Sequence, residues 1–297
     1  MVETSKSTVP SLFSSPDQVL ILDGPMGTEL TKRGFDVGRP GWSARALLEA
    51  PELISAIHRD YVEAGAMILT TNTFRTHAVN LEGWHDPAEA GRLTRLAVEL
   101  AREAAGHRCR VFGSVSPLGD SYLPGEAVEP SWLQEQHTAM LNELLEAGVD
   151  GLLVETQTTF REAEMIVHLT RGCGRPVVLS VVSFDGQTML DGTPLACLRE
   201  LARSGLLDAI GCNCVPVEIV EDVLHQMQDF GIPKVVYANS GRMNSLGEWE
   251  ESAGALLDQH VAFARIWTTH GVRLLGGCCG TDVDLVANFA DEFADSF

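Results

Sequence analysis

The chain has 297 residues, of which 45% are hydrophobic and 21% charged, and a formal net charge of −20. That balance supplies apolar material for a sizeable core and excludes a disordered chain, while the acidic surplus without any Lys/Arg cluster argues against a nucleic-acid partner. No run reaches the roughly 18 to 20 apolar residues of a membrane span, and the opening MVETSKSTVPSLFSSPDQ lacks the apolar centre of a signal peptide, so no membrane is expected and the expected location is cytoplasmic.

Residues 1–16, rich in Ser, Thr and Pro, read as a mobile tail ahead of one domain over 17–297. From there short apolar runs of the kind found in buried parallel strands alternate with stretches of helical spacing. The strands are expected at Val19–Asp23, Ala66–Thr71, Arg110–Val115, Gly151–Glu155, Val177–Val182, Asp208–Asn213, Lys234–Ala238 and Val272–Gly277. The helices are expected at Pro51–Ala64, Ala88–Ala105, Ser131–Ala147, Phe160–Thr170, Leu195–Arg203, Val217–Asp229, Ser252–Thr269 and Asp282–Asp295. Several helices stop at a glycine (Gly65, Gly148, Gly205, Gly231), the residue suited to a left-handed position before a short turn. Eight such β/α units predict an α/β fold, a single (β/α)8 TIM barrel. The first turn, DGPMGTE, has no dinucleotide fingerprint. Two connections, Thr28–Ala50 and Pro117–Pro130, are long and follow strand C-termini, where barrels build their sites.

Polar and cysteine residues gather in that same layer: Asp23, Thr71 with Asn72 and Thr73, Ser116, Glu155, Ser183, Cys212 with Asn213 and Cys214, Asn239 with Ser240, and Cys278 with Cys279. Seven cysteines without an export signal read as thiols or metal ligands rather than as a disulfide framework. Cys278 and Cys279 lie in GGCCGT after strand eight, where paired glycines let the backbone bend tightly, and Cys214 ends GCNC after strand six. Three thiols and one exchangeable position suit a catalytic zinc. Zinc deprotonates a bound thiol, which leaves a substrate sulfur nucleophilic enough to attack a methyl group on a sulfonium or quaternary ammonium. A redox pair of Cys278 and Cys279 is the competing reading. Cys212 shares strand parity with Cys214 and is expected deeper in the barrel, whereas Cys109, Cys173 and Cys197 read as ordinary small side chains. Asp23 and Glu155 could bind an amino-acid ammonium group. Among nine histidines His77 alone lies near the expected site, where a hydrogen-bonding role is favoured over a ligand role.

The segments ILDGPMGTEL (21–30), WSARALLEAPELISAIHRDYVEAGA (42–66), TNTF (71–74), GSVSPLG (113–119), LVET (153–156), FDGQTMLDGTPL (184–195), GCNC (211–214), VYANSG (236–241) and GGCCGT (276–281) resemble the homocysteine S-methyltransferase family over nearly the whole chain. The resemblance implies zinc on Cys214, Cys278 and Cys279, the homocysteine amino group on Asp23 and Glu155, and its carboxylate near Gly24 and Thr71–Thr73. It also matches Asn239 to an asparagine that fills the fourth zinc position in some relatives. WSA, DGTPL and VYANSG look closest to the S-methylmethionine-dependent branch, so the expected donor is S-methylmethionine first and S-adenosylmethionine second. The alternative is a homocysteine-binding zinc module that needs a corrinoid or other donor partner. The expected partners are therefore small-molecule substrates, with homo-oligomerisation left open.

Overall fold

Each expected strand forms within a few residues of its bounds in the computed structural model, which describes residues 11–119, 129–243, 249–251 and 256–294. The barrel strands are β1 (Leu20–Ile21), β2 (Ile68–Thr70), β3 (Arg110–Val115), β4 (Gly151–Gln157), β5 (Val177–Val181), β6 (Ala209–Pro216), β7 (Lys234–Asn239) and β10 (Val272–Gly277). A two-stranded hairpin, β8 (Gly241–Met243) and β9 (Trp249–Glu251), stands outside the barrel sheet.

The sheet runs β1-β10-β7-β6-β5-β4-β3-β2 with every pairing parallel. A parallel bridge between Leu22 and Ile68 joins its two ends. Backbone bonds from Met67 N to Ile21 O at 2.8 Å and from Asp23 N to Ile68 O at 3.0 Å close the barrel. Burial on both faces explains the unbroken apolar runs, since parallel strands pack side chains inside and helices outside.

The helices are α1 (Met26–Lys32), α2 (Ala46–Glu49), α3 (Pro51–Glu63), α4 (Ala78–Leu81), α5 (Ala90–Ala105), α6 (Pro130–Glu146), α7 (Phe160–Leu169), α8 (Arg199–Arg203), α9 (Val220–Gln226), α10 (Leu256–Thr269) and α11 (Val283–Glu292). In α3, Pro51 opens the first turn and Ile54, Ile57, His58, Tyr61 and Val62 form the buried stripe at three- and four-residue spacing. Gly65, at φ +99°, ends it: Ala66 N donates to Tyr61 O at 2.9 Å and Gly65 N to Val62 O at 3.2 Å, satisfying carbonyls the helix leaves open. Among the described residues no helix is long and apolar enough to cross a membrane.

Two expectations change. The connection Thr28–Ala50 is not a plain loop: it folds into most of α1, a 3-10 turn at Trp42–Arg45 and α2. Of the expected tail, residues 1–10 lie outside the described residues, whereas Leu12 is fully buried. Arg110 donates to Leu12 O at 2.7 Å and Arg273 to Pro16 O at 2.8 Å, so strand-borne guanidinium groups fasten the segment against the barrel. Residues 120–128, within the second long connection, and 252–255, at the start of an expected helix, lie outside the described residues.

At Gly211 the neighbouring strand leaves no room for a side chain: an added Cβ would lie 1.8 Å from the carbonyl oxygen of Val235. Backbone cannot yield there as a flexible side chain would. Gly211→Ala is expected to lower unfolding stability by about 3 kcal/mol or more, read as a reduced urea midpoint; an unchanged midpoint would mean that β6 and β7 separate easily.

Candidate active site

The C-terminal ends of the strands enclose a cavity of about 600 Å³. Cys214, Cys278 and Cys279 line it, as do Asp23, Glu155, Gly24, Thr71 and Asn72. Cys214 and Cys278 meet sulfur to sulfur with their Cα atoms 5.5 Å apart, and the three sulfurs lie within 4.8 Å of one another. The sulfur contact thus joins the ends of β6 and β10 and is not made within the adjacent Cys278–Cys279 pair.

Local backbone explains how β6 aims Cys214. Pairing between β6 and β7 shifts between Asn213 and Pro216, and Cys214 sits at φ +53°, a left-handed conformation that costs a non-glycine residue about 1 to 3 kcal/mol. Thr156 at the end of β4 does the same, at φ +56°, where the pairing with β5 shifts between Val154 and Gln157. Asn213 holds both turns: its Nδ2 donates to Thr156 Oγ1 at 2.8 Å, and its Oδ1 accepts from Thr156 N at 2.9 Å and Ser180 Oγ at 2.7 Å. This buried amide ties three strand ends. Cys212, two residues before the irregularity, stays inside the barrel outside the thiol cluster, and burial pushes its thiol up to about 12.

The glycines of GGCCGT answer to close packing. A Cβ on Gly276 would lie 2.8 Å from Leu22 Cβ, and one on Gly277 would collide with the Thr281 hydroxyl. Beyond them Cys278 N donates to Ala238 O and Ser240 N to Cys279 O, both at 3.0 Å, so the end of β10 is knitted to that of β7 around Asn239. Asn239 is buried, and its Oδ1 has no hydrogen-bond partner. Three thiols from two strand ends, beside an orphaned amide oxygen, form a donor set that fits a tetrahedral zinc ion.

Asp23 is buried and Glu155 half-buried, and neither pairs with a cation among the described residues. Asp23 Oδ2 accepts from Thr70 N at 2.7 Å; Glu155 accepts from Ser114 Oγ at 2.5 Å and from Tyr237 OH at 3.2 Å. Burial raises Asp23 to about 8, opposed by the Thr70 bond and reinforced by the charge of Glu155. Burial likewise raises Glu155 to about 7. Among the described lining residues Arg75 is the one cation, and its guanidinium lies over Phe74 at 5.2 Å and donates to Gly119 O at 2.9 Å.

The expected threonine segment is divided in role. Thr71 and Asn72 line the cavity while Thr73 does not. Thr73 Oγ1 donates to Ser114 O at 2.7 Å and meets Thr71 Oγ1 at 2.8 Å, and the Asn72 amide bonds Ser43 through both its ends, at 2.7 and 2.9 Å. His77 is buried against His137, ring centroids 5.1 Å apart, with no hydrogen bond to either nitrogen. The hydrogen-bonding role expected for it is absent, and burial holds its pKa well below the usual value. Sequence reasoning missed Tyr237, Ser114, Trp42 and Phe74 on the wall. Strand parity could have pointed Tyr237 inward, since residues two apart share a face.

A model of the homocysteine S-methyltransferase family matches residues 20–293. The chain belongs to that family and is a methyltransferase. It is 31% identical to the homocysteine S-methyltransferase YbgG of Bacillus subtilis, over 92% of this chain and 93% of that one. It is 28% identical to a selenocysteine methyltransferase of Astragalus bisulcatus, over 95% and 94%. The metallated form of the homocysteine methyltransferase MmuM from Escherichia coli superposes with a TM-score of 0.81 at 30% identity, covering 92% of this chain and 96% of that one.

The raised carboxylates give a pH signature for this family member. Between about 4.5 and about 7 the folded state keeps a proton on Glu155 that the unfolded chain has lost, so this contribution to stability is lost as pH rises. Metal-free, reduced protein should therefore lose stability relative to its Glu155→Gln variant across that window, with the gap constant above it. Parallel denaturation curves at every pH would show Glu155 to be ionised throughout.

Proposed function

We propose that this protein transfers a methyl group from a small sulfonium donor, S-methylmethionine first and S-adenosylmethionine second, to the thiol of homocysteine, forming methionine. The observation that carries this reading is one cavity lined by three clustered thiols and by two carboxylates that pair with no cation among the described residues. An amino acid bearing a thiol complements both. Its ammonium group would bring the positive charge that Asp23 and Glu155 lack, and these carboxylates would ionise as it binds.

Cys214, Cys278 and Cys279 would hold zinc, with Asn239 filling the fourth position until substrate arrives. Zinc bound by three thiolates would keep the substrate thiol deprotonated at neutral pH while leaving its sulfur electron-rich. That sulfur attacks the methyl carbon in line with the departing thioether. The new S–CH3 bond forms as the old one breaks, the sulfonium leaves as a neutral thioether, and the thiol proton passes to solvent.

Gly24 and the Thr71–Asn72 turn would receive the substrate carboxylate, with Thr73 bracing Thr71 from behind. Gly24 has no room for a side chain, since a Cβ there would lie 2.6 Å from the Tyr61 hydroxyl. For the donor, Trp42 and Phe74 stand edge to face at 5.6 Å on the cavity wall, with Met26 and Val37 beside them. Aromatic faces attract a sulfonium cation while the apolar surround excludes water.

The test is methionine formation by reduced, zinc-loaded protein from homocysteine with S-methylmethionine, S-adenosylmethionine or betaine supplied separately. Product with S-methylmethionine is expected. Product with betaine alone would replace the proposed donor, and none with any donor, despite bound homocysteine, would point to a module served by a separate methyl carrier. Cys214→Ser should lose most of its zinc and slow the reaction by more than about 100-fold, because losing a group that merely supports a metal ligand already costs roughly 10- to 100-fold. A variant with full zinc and full rate would overturn the ligand assignment.

A further inference from the structure

At the end of the barrel opposite the cysteines, a second set of metal-ligating side chains converges. Glu221 and His225 lie four residues apart on α9 and share one face of that helix. His270 follows α10 and precedes β10 by two residues. One ligand atom from each of the three lies within 4.8 Å of the other two, and the two imidazole rings meet edge to face with centroids 5.1 Å apart.

The backbone beneath them is fixed. His270 N donates to Trp267 O at 2.9 Å, Gly271 N to Thr268 O at 3.1 Å and Lys234 N to Gly271 O at 3.0 Å. His225 is exposed and the other two are partly so, which leaves the side chains free to turn and solvent able to complete a coordination sphere.

We propose that Glu221, His225 and His270 form a binding site for a divalent transition-metal ion of the zinc type, distinct from the cysteine cluster. Two imidazoles and one carboxylate select zinc, cobalt or nickel over magnesium or calcium, which take oxygen ligands. Ligand bonds of about 2.0 to 2.2 Å place neighbouring ligand atoms roughly 3.4 Å apart, a separation that modest side-chain rotation reaches from the present cluster. The Lys234 ammonium reaches toward Gly271 beside the site, and the charge of Asp229 acts on it.

The length of β10, roughly 20 Å at about 3.3 Å per residue, separates this site from Cys278. Its place at the strand N-termini gives it a stabilising role: the ion would staple α9 to the α10–β10 turn, and an ion that binds only the folded state raises the melting temperature by mass action.

The experiment is zinc equilibrium dialysis of the reduced full chain, with metal counted per protein. Two equivalents are expected for the native sequence, one for His225→Ala and one for His270→Ala, with methyl transfer unchanged in both. In a Cys214→Ser background, zinc should still raise the melting temperature, and adding His270→Ala should abolish that rise. Native-level zinc in both histidine variants, or no zinc-dependent rise in the Cys214→Ser protein, would overturn the proposal.

Discussion

The seam between β1 and β2 is the constraint on which the rest depends. β1 is only two residues long, and beyond it the sheet is closed by one bridge and a few hydrogen bonds. One of these comes from a side chain: Asp23 Oδ2 takes the Thr70 N–H that a longer strand would have bonded through its backbone. The same carboxylate then faces the cavity. Closure and the proposed ammonium site therefore share a residue, and its charge is set by the surroundings of both. The backbone N–H favours the ionised form, whereas burial and Glu155 favour the protonated one.

A second shared element is Asn213. It contacts neither the cavity nor the thiol cluster, yet its amide fixes the left-handed turn at Thr156, beside Glu155, and lies next to the left-handed Cys214. Both left-handed residues are strained, and such strain persists only where surrounding bonds over-determine it. A buried amide with both donors and acceptors engaged across three strands is that kind of restraint.

Much of this was legible from sequence because the governing patterns are local. Apolar runs marked buried strands, glycines marked helix ends, and polar residues at strand ends gathered once the barrel closed. The three cysteines stood out since the topology puts β6 and β10 on either side of β7. What escaped depends on partners distant in sequence. The stretch around Trp42 folds because Ser43 bonds Asn72, and Leu12 docks because Arg110 lies on β3 and takes its carbonyl. Left-handed Cys214 has no composition signal, for strand parity alone would have treated it as the twin of Cys212. The glycines of GGCCGT were visible, but their reason, the approach of Leu22 and Thr281, required the folded chain.

The electrostatics of the cavity bind its thiols and carboxylates into one device. Three thiols and two carboxylates can carry five negative charges, and the one cation on the wall is engaged elsewhere. Low dielectric opposes ionisation of Asp23 and Glu155 until positive charge enters. A divalent ion at the thiols and an ammonium group at the carboxylates would each supply it. Each cation would relieve repulsion that opposes ionisation of the other acid groups, so thermodynamic linkage would make the two binding events mutually favourable. An uncharged thiol would gain little from that coupling. On the proposed reading, selection for an amino-acid thiol would follow from how the barrel distributes these acid groups, before any contact to the substrate's carbon chain is considered.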